Sequence, residues 1–144
     1  MKILLFTDCS VGVIGYHVDH AIALKKAGVD IFAVVSSKEL EPGLIQSMRE
    51  AGIPMILLSG LERHKNMWKH IFALSSYIQN NEINYVHVQT NWQLMLISVV
   101  RFFLLFRKRL SITYTIHAYR HNDPKKVFFA RVIIGILLLS LIHI

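Results

Sequence analysis

Apolar and polar positions along this chain follow two different periods in turn. Ile3-Leu4-Leu5-Phe6 is an uninterrupted apolar run, as expected of a short strand covered on both faces in a parallel sheet. It stops at Thr7-Asp8-Cys9-Ser10, and the loop Val11-Gly12-Val13-Ile14-Gly15 leads into a helical stretch from Tyr16 to Ala27. There Val18, Ala21, Ile22 and Leu24 make an apolar face, and Asp19, His20, Lys25 and Lys26 a polar one. Gly28 supplies the stop.

The unit then recurs. Asp30 to Val35 predicts a second strand, ended by Ser36-Ser37; Pro42-Gly43 opens a short helix, Leu44 to Ala51, closed by Gly52. Met55 to Leu58 reads as a third strand. The clearest helix runs from Asn66 to Asn81, with Trp68, Ile71, Phe72, Ser75 and Ile78 on one stripe and Lys69, His70, Gln79 and Asn80 facing away. Asn84 to Thr90 predicts a fourth strand, and Trp92 to Phe106 a helix whose cationic end suits the negative pole of its dipole. Ser111 to Ala118 alternates as a fifth strand, with Ile112, Tyr114 and Ile116 on one face, and Pro124 starts a last helix. Short strands alternating with longer helices predict an α/β chain: a Rossmann-like parallel sheet of about five strands flanked by helices. Such sheets bind ligands at the carboxyl ends of their strands, near the switch point. The exits to inspect are therefore Thr7 to Gly15, Ser36-Ser37, Ser59-Gly60, Gln89 to Asn91 and His117 to His121.

Charge changes the picture more than composition does. A chain of 144 residues, 53% hydrophobic, holds one domain with a real core. Residues 1–98 carry eight basic and eight acidic side chains, whereas from Val99 onward Arg101, Arg107, Lys108, Arg109, Arg120, Lys125, Lys126 and Arg131 face Asp123 alone. The whole excess of +7 thus lies in the last third, beside Phe102 to Phe106. Two readings stand: a solvated helix end, and contact of Arg107, Lys108 and Arg109 with an anionic membrane surface, which the long aliphatic runs favour over nucleic acid. Cys9 is the only cysteine, which excludes an internal disulfide and fits a reducing cytosol. The first apolar run is too short for a signal-peptide core, so a cytoplasmic chain is expected, with peripheral attachment to the inner face of the membrane in the second reading.

Gly12 and Gly15 do not make G-x-G-x-x-G, and strand two ends in serines where a dinucleotide fold wants an acid. No G-K-[ST] follows the loop. Nicotinamide, flavin and nucleoside triphosphatase chemistry are accordingly disfavoured, and Gly12 reads either as a tight turn or as a phosphate contact. His17 and His20, and His117 and His121, have chelating spacings but no third ligand in pattern, so no metal is expected. His87, inside an apolar strand, reads as a hydrogen-bonded core residue. His117 lies where strand five leaves the sheet, followed by Tyr119, Arg120 and His121. It can cap the strand end, or it can bind a sugar hydroxyl and stabilise charge developing in a transition state.

Tyr114-Thr115-Ile116-His117-Ala118 resembles the Tyr-Thr-x-His-Gly segment in the N-terminal domain of retaining glycosyltransferases of the family 4 type, which have two Rossmann-like domains in a GT-B fold. Met1-Lys2-Ile3-Leu4 before a glycine loop, Ala23-Leu24-x-x-x-Gly28-x-x-Ile31, and Asn84-Tyr85-Val86-His87-Val88-Gln89 resemble that family's motifs in the same order. The resemblance implies that the chain is the acceptor-side half of an enzyme moving a sugar from a nucleotide-sugar donor to a cell-surface glycan or glycolipid precursor. It implies no metal or other cofactor, a donor-diphosphate loop at Gly12, Val13 and Gly15, and His117 beside the transferred sugar. Gln89, Asn91, Tyr119 and Arg120 would lie on the acceptor side. A single Gly12 stands where the family has a glycine pair, Gln89 replaces a second histidine, and Ala118 replaces a glycine.

The family's second, nucleotide-sugar domain has no counterpart in these residues. Leu139-Ser140-Leu141-Ile142-His143-Ile144 is the translation of CTGTCTCTTATACACATC, a transposase end sequence used in sequencing libraries. The expectation is therefore a domain over residues 1–138 followed by six residues of adaptor, 139–144, and an isolated fragment without activity. The alternatives are a non-catalytic Rossmann-like module that docks on a partner chain or membrane surface, and a short membrane-anchored protein using Val127 to Ile144.

Overall fold

The structure, a computed structural model, describes residues 1–6, 14–36, 42–58, 66–104 and 109–115. The predicted alternation is observed: β1 (Lys2–Phe6), α1 (Ile14–Lys26), β2 (Asp30–Ser36), α2 (Pro42–Glu50), β3 (Met55–Leu58), α3 (Met67–Asn80), β4 (Tyr85–Val88), α4 (Asn91–Leu104) and β5 (Ser111–Tyr114). The five strands form one parallel sheet in the order β3-β2-β1-β4-β5. This is a Rossmann-like α/β arrangement. The predicted last helix, from Pro124, lies outside the described residues, as does the end of the fifth strand beyond Thr115.

Strand periodicity sorts the core into two layers. Leu4 and Phe6 of β1, Val34 of β2, and Val86 and Val88 of β4 pack with Ile71, Leu74 and Ile78 of α3 and Leu94, Ile97 and Val100 of α4. Leu5, Ile31, Ala33 and Val35 point the other way, onto Val18 and Ala21 of α1 and Met48 of α2. Both faces of β1 and β2 are therefore covered, which is why their sequences read as continuous apolar runs. β5 is an edge strand, and its alternation shows it: Ile112 and Tyr114 pack against the α3–α4 layer, while Ser111, Thr113 and Thr115 are exposed.

Three helices end in the same way. The N–H groups of Gly28 and Val29 donate to the carbonyls of Lys25 and Leu24, those of Gly52 and Ile53 to Arg49 and Met48, and those of Glu82 and Ile83 to Gln79 and Ile78. In each, the first residue has positive φ (+84° at Gly28, +66° at Gly52, 54° at Glu82), and the second is an apolar residue entering the next strand. This is the Schellman arrangement, which glycine adopts without penalty and glutamate does not. Glu82→Gly is expected to raise stability by about 0.5–1 kcal/mol in high salt. There the exposed Lys2–Glu82 ion pair (3.0 Å) is screened and its loss no longer counts. Urea titration in concentrated sodium chloride measures it.

α3 departs from the predicted stripe. His70 is buried (5% exposed) together with Ile71, Leu74 and Ile78, whereas Trp68 and Phe72 stand in solvent. The buried face is thus turned by about one position from the expected one. Tyr77, on the flank of α3, packs edge-to-face on Phe32 of β2 (centroids 6.2 Å apart, planes at 82°). Its buried hydroxyl has no hydrogen-bond partner among the described residues, and burial pushes its pKa above the usual tyrosine range. A raised folded-state pKa leaves stability intact below about pH 10 and erodes it as pH climbs through the folded value. Tyr77→Phe keeps the ring contact and removes the orphan hydroxyl. It is expected to gain about 1 kcal/mol at neutral pH and to flatten the alkaline loss, both read from urea midpoints across a pH series.

Candidate functional site

The order of the strands locates the site before any side chain does. From β1 the chain winds to β2 and β3 on one side, then returns to place β4 and β5 on the other. The switch point lies between β1 and β4, and it is beyond the carboxyl ends of such strands that parallel sheets receive ligands. α1 starts at Ile14 after the exit of β1, and α4 starts at Asn91 after the exit of β4, one on each face of the sheet. Neither helix has an acidic residue in its first turn. The positive poles of two helix dipoles therefore follow two adjacent strand ends, an electrostatic setting that favours an anion.

On the β4 side of the switch point the chain enters α4 through a capping box. The Gln93 N–H donates to Thr90 Oγ1 (3.2 Å), and Gln93 Oε1 accepts from the N–H groups of Gln89 (2.9 Å) and Thr90 (3.2 Å). The Leu94 N–H donates to the Thr90 carbonyl (2.9 Å), the first turn of the helix. Thr-x-x-Gln is the sequence form of this cap, so Thr90 and Gln93 carried a readable signal that the pattern of apolar residues did not bring out. Thr90 thereby ends the strand early: β4 stops at Val88, and Gln89, expected inside it, follows it.

Gln89 is buried, and its Nε2 donates to the Phe6 carbonyl at 3.4 Å. That oxygen is the last of β1, so the Gln89 side chain spans the switch point and ties the two exits together. His87, expected as a hydrogen-bonded residue, bonds through Nε2 to Thr115 Oγ1 (2.7 Å), linking β4 to the end of β5. It is half-buried rather than in the core, because the α1 side of β4 and β5 is only partly covered. His87 there lines a depression of about 330 Å³ with Ile3, Leu5, His20, Leu24 and Thr113.

The expected site residues divide by position. Gln89 is at the switch point, and Asn91 is the first residue of α4, two residues on. Gly15, read as the end of the glycine loop, lies in the first turn of α1, because that helix begins at Ile14. Gly12, Val13, His117, Tyr119, Arg120, Arg107 and Lys108 lie outside the described residues. The strands that lead to Gly12 and His117 end on the same edge of the sheet with β4 alone between them, roughly 10 Å apart. Arg109 is exposed and precedes β5, at the opposite, amino edge. Arg109 and the switch-point exits are thus at opposite edges of the sheet.

A depression of about 530 Å³ at that amino edge is lined by Met1, Lys2, Asp30, Glu82, Asn84 and Tyr85. There Lys2 and Glu82 answer each other's charge, and the strands present their starts, not the ends that receive ligands in parallel sheets. Among the described residues no three His, Cys, Asp or Glu side chains gather as a metal site. No protein-family model matches the chain, and no curated protein is significantly similar to it.

Proposed function

We propose that this chain is the acceptor-side half of a sugar transferase, acting with a nucleotide-sugar domain that these residues do not include. The observation that supports the reading is the switch point between β1 and β4, with the acid-free N-termini of α1 and α4 following those two strands. In this reading the leaving diphosphate is bound by the segment that follows β1, and the developing charge is met by backbone N–H groups and the pole of α1. His117, which follows Thr115 by two residues in the sequence, is assigned to the transferred sugar. Gln89 and the Thr90–Gln93 cap hold the β1 and β4 exits in register, so that acceptor and donor meet in a fixed geometry. The sugar-bearing chain works at the cytoplasmic face of a membrane, where glycan and glycolipid precursors are assembled.

Extending the open reading frame in an independent assembly of the locus tests this. The expected result is continuous coding sequence for a second nucleotide-sugar domain in place of residues 139–144, and transfer from a labelled nucleotide sugar by the joined chain. The 144-residue chain alone is expected to transfer nothing. A native stop codon after Ile144, with no transposase sequence in the DNA, overturns the reading in favour of a non-catalytic docking module.

A further inference from the structure

We propose that the outer surface of the α3–α4 layer docks on an anionic lipid bilayer through Trp68, Phe72, Phe102 and Phe103. This names the surface for the membrane contact contained in the functional reading above.

The patch is an outcome of tertiary structure. Trp68 and Phe72, expected in the core, are 57% and 62% exposed, and Phe102 and Phe103 of α4 are 67% and 46% exposed. They are contiguous. Phe103 lies 6.3 Å from Trp68, 6.4 Å from Phe72 and 6.1 Å from Phe102, measured between ring centroids. Four large rings from two helices therefore share one spot in water, an arrangement that marks an interaction surface and not scattered exposure.

Charge identifies the occupant. Neither α3 nor α4 contains an acidic residue, and between residues 63 and 122 Glu82 is the only one in the chain. Lys69, between Trp68 and Phe72, is exposed; Arg101 adjoins Phe102 and is half-buried; Arg109 is exposed beyond the end of α4. The opposite layer is mixed, with exposed Asp19 on α1 and exposed Glu50 on α2 among its bases. Among the described residues, α3 and α4 thus set basic and no acidic side chains beside these rings, and the partner of such a face is an anionic surface with an apolar interior.

Tryptophan and phenylalanine ringed by lysine and arginine match the headgroup region of a bilayer containing anionic lipid. A second copy seated on the same face would oppose Lys69 to like charge. Nucleic acid needs free ring faces for stacking, whereas Trp68 and Phe102 both meet Phe103 at steep angles (77° and 81°) and so cluster as a knob. Among the described residues no helix is long and apolar enough to cross a membrane, so the contact is one of lying on the surface.

The test uses the whole 144-residue chain and no sugar donor. Its failure therefore leaves the transferase reading standing, and failure of the reading-frame test leaves this one standing. The chain is sedimented with vesicles of phosphatidylcholine alone and of equal parts phosphatidylcholine and phosphatidylglycerol, and tryptophan emission is recorded. Expected are binding to the anionic vesicles only, reversal by salt, and a blue shift that Trp68→Phe abolishes. The double substitution F72S/F102S is expected to weaken partitioning about tenfold or more, and Lys69→Gln roughly fivefold. Helical circular dichroism is expected to be unchanged, because all these side chains face solvent. Should F72S/F102S lose its helical signal, Lys69→Gln and Trp68→Phe decide. Absence of binding to anionic vesicles overturns the proposal. So does binding that survives the substitutions, or a dimer in solution that the aromatic substitutions dissolve.

Discussion

Replacing Phe6 with alanine is expected to cost about 3–5 kcal/mol of folding stability, a large part of the roughly 5–15 kcal/mol that holds a domain together. Phe6 is fully buried at the end of β1, the central strand, and joins the core shared by α3 and α4. The β2 ladder pairs Phe6 with Val34, and the β4 ladder holds β1 up to Leu5, so the lost ring leaves a cavity that neighbouring strands cannot readily close. Urea titration measures the loss, and Phe6→Leu, which keeps most of the volume, is expected to cost well under half as much. A loss near zero for the alanine variant would mean that β1 does not centre the core.

Gln93→Leu is expected to cost about 2–4 kcal/mol although it exchanges a polar side chain for an apolar one of similar size. Gln93 is completely buried, and its Oε1 is the acceptor for two backbone donors, the N–H groups of Gln89 and Thr90. Leucine leaves both without that partner, at about 1–3 kcal/mol for each buried donor. The damage is local to the junction of β4 and α4. Hydrogen exchange is expected to accelerate first at Gln89, Thr90 and the opening turn of α4, with β1 and β2 still protected. Gln93→Glu keeps the acceptor at a helix N-terminus, where negative charge is favoured, and is expected to lose less. Equal losses in the two variants would show that the side-chain volume, and not the cap, supports the site.

Much of the architecture was legible along the chain because it rests on interactions of short range. The apolar runs of β1 and β2, the helical spacing of α3, and the glycines that end α1 and α2 are properties of a few neighbouring residues. The third helix end was harder to see, since Glu82 stands where the two others have glycine. The cap of α4 was readable in Thr90 and Gln93 but lay hidden under the expectation of a longer strand.

The switch-point geometry depends on contacts that no local pattern contains. Gln89 meets the carbonyl of Phe6 across 83 residues of chain, and only the order of the strands makes them neighbours. The face of α3 was likewise decided in three dimensions. Trp68 and Phe72 are apolar enough for a core, but the sheet and α4 take the side of the helix that carries His70, Ile71, Leu74 and Ile78. A helix with apolar residues on more than one side does not determine by itself which side is buried. The sequence by itself thus determined the strands, the helices, their alternation and the concentration of positive charge in the last third. The tertiary structure alone decided which strand ends are neighbours and which aromatic rings are left in water, because burial is settled by what packs opposite a residue and not by the residue itself.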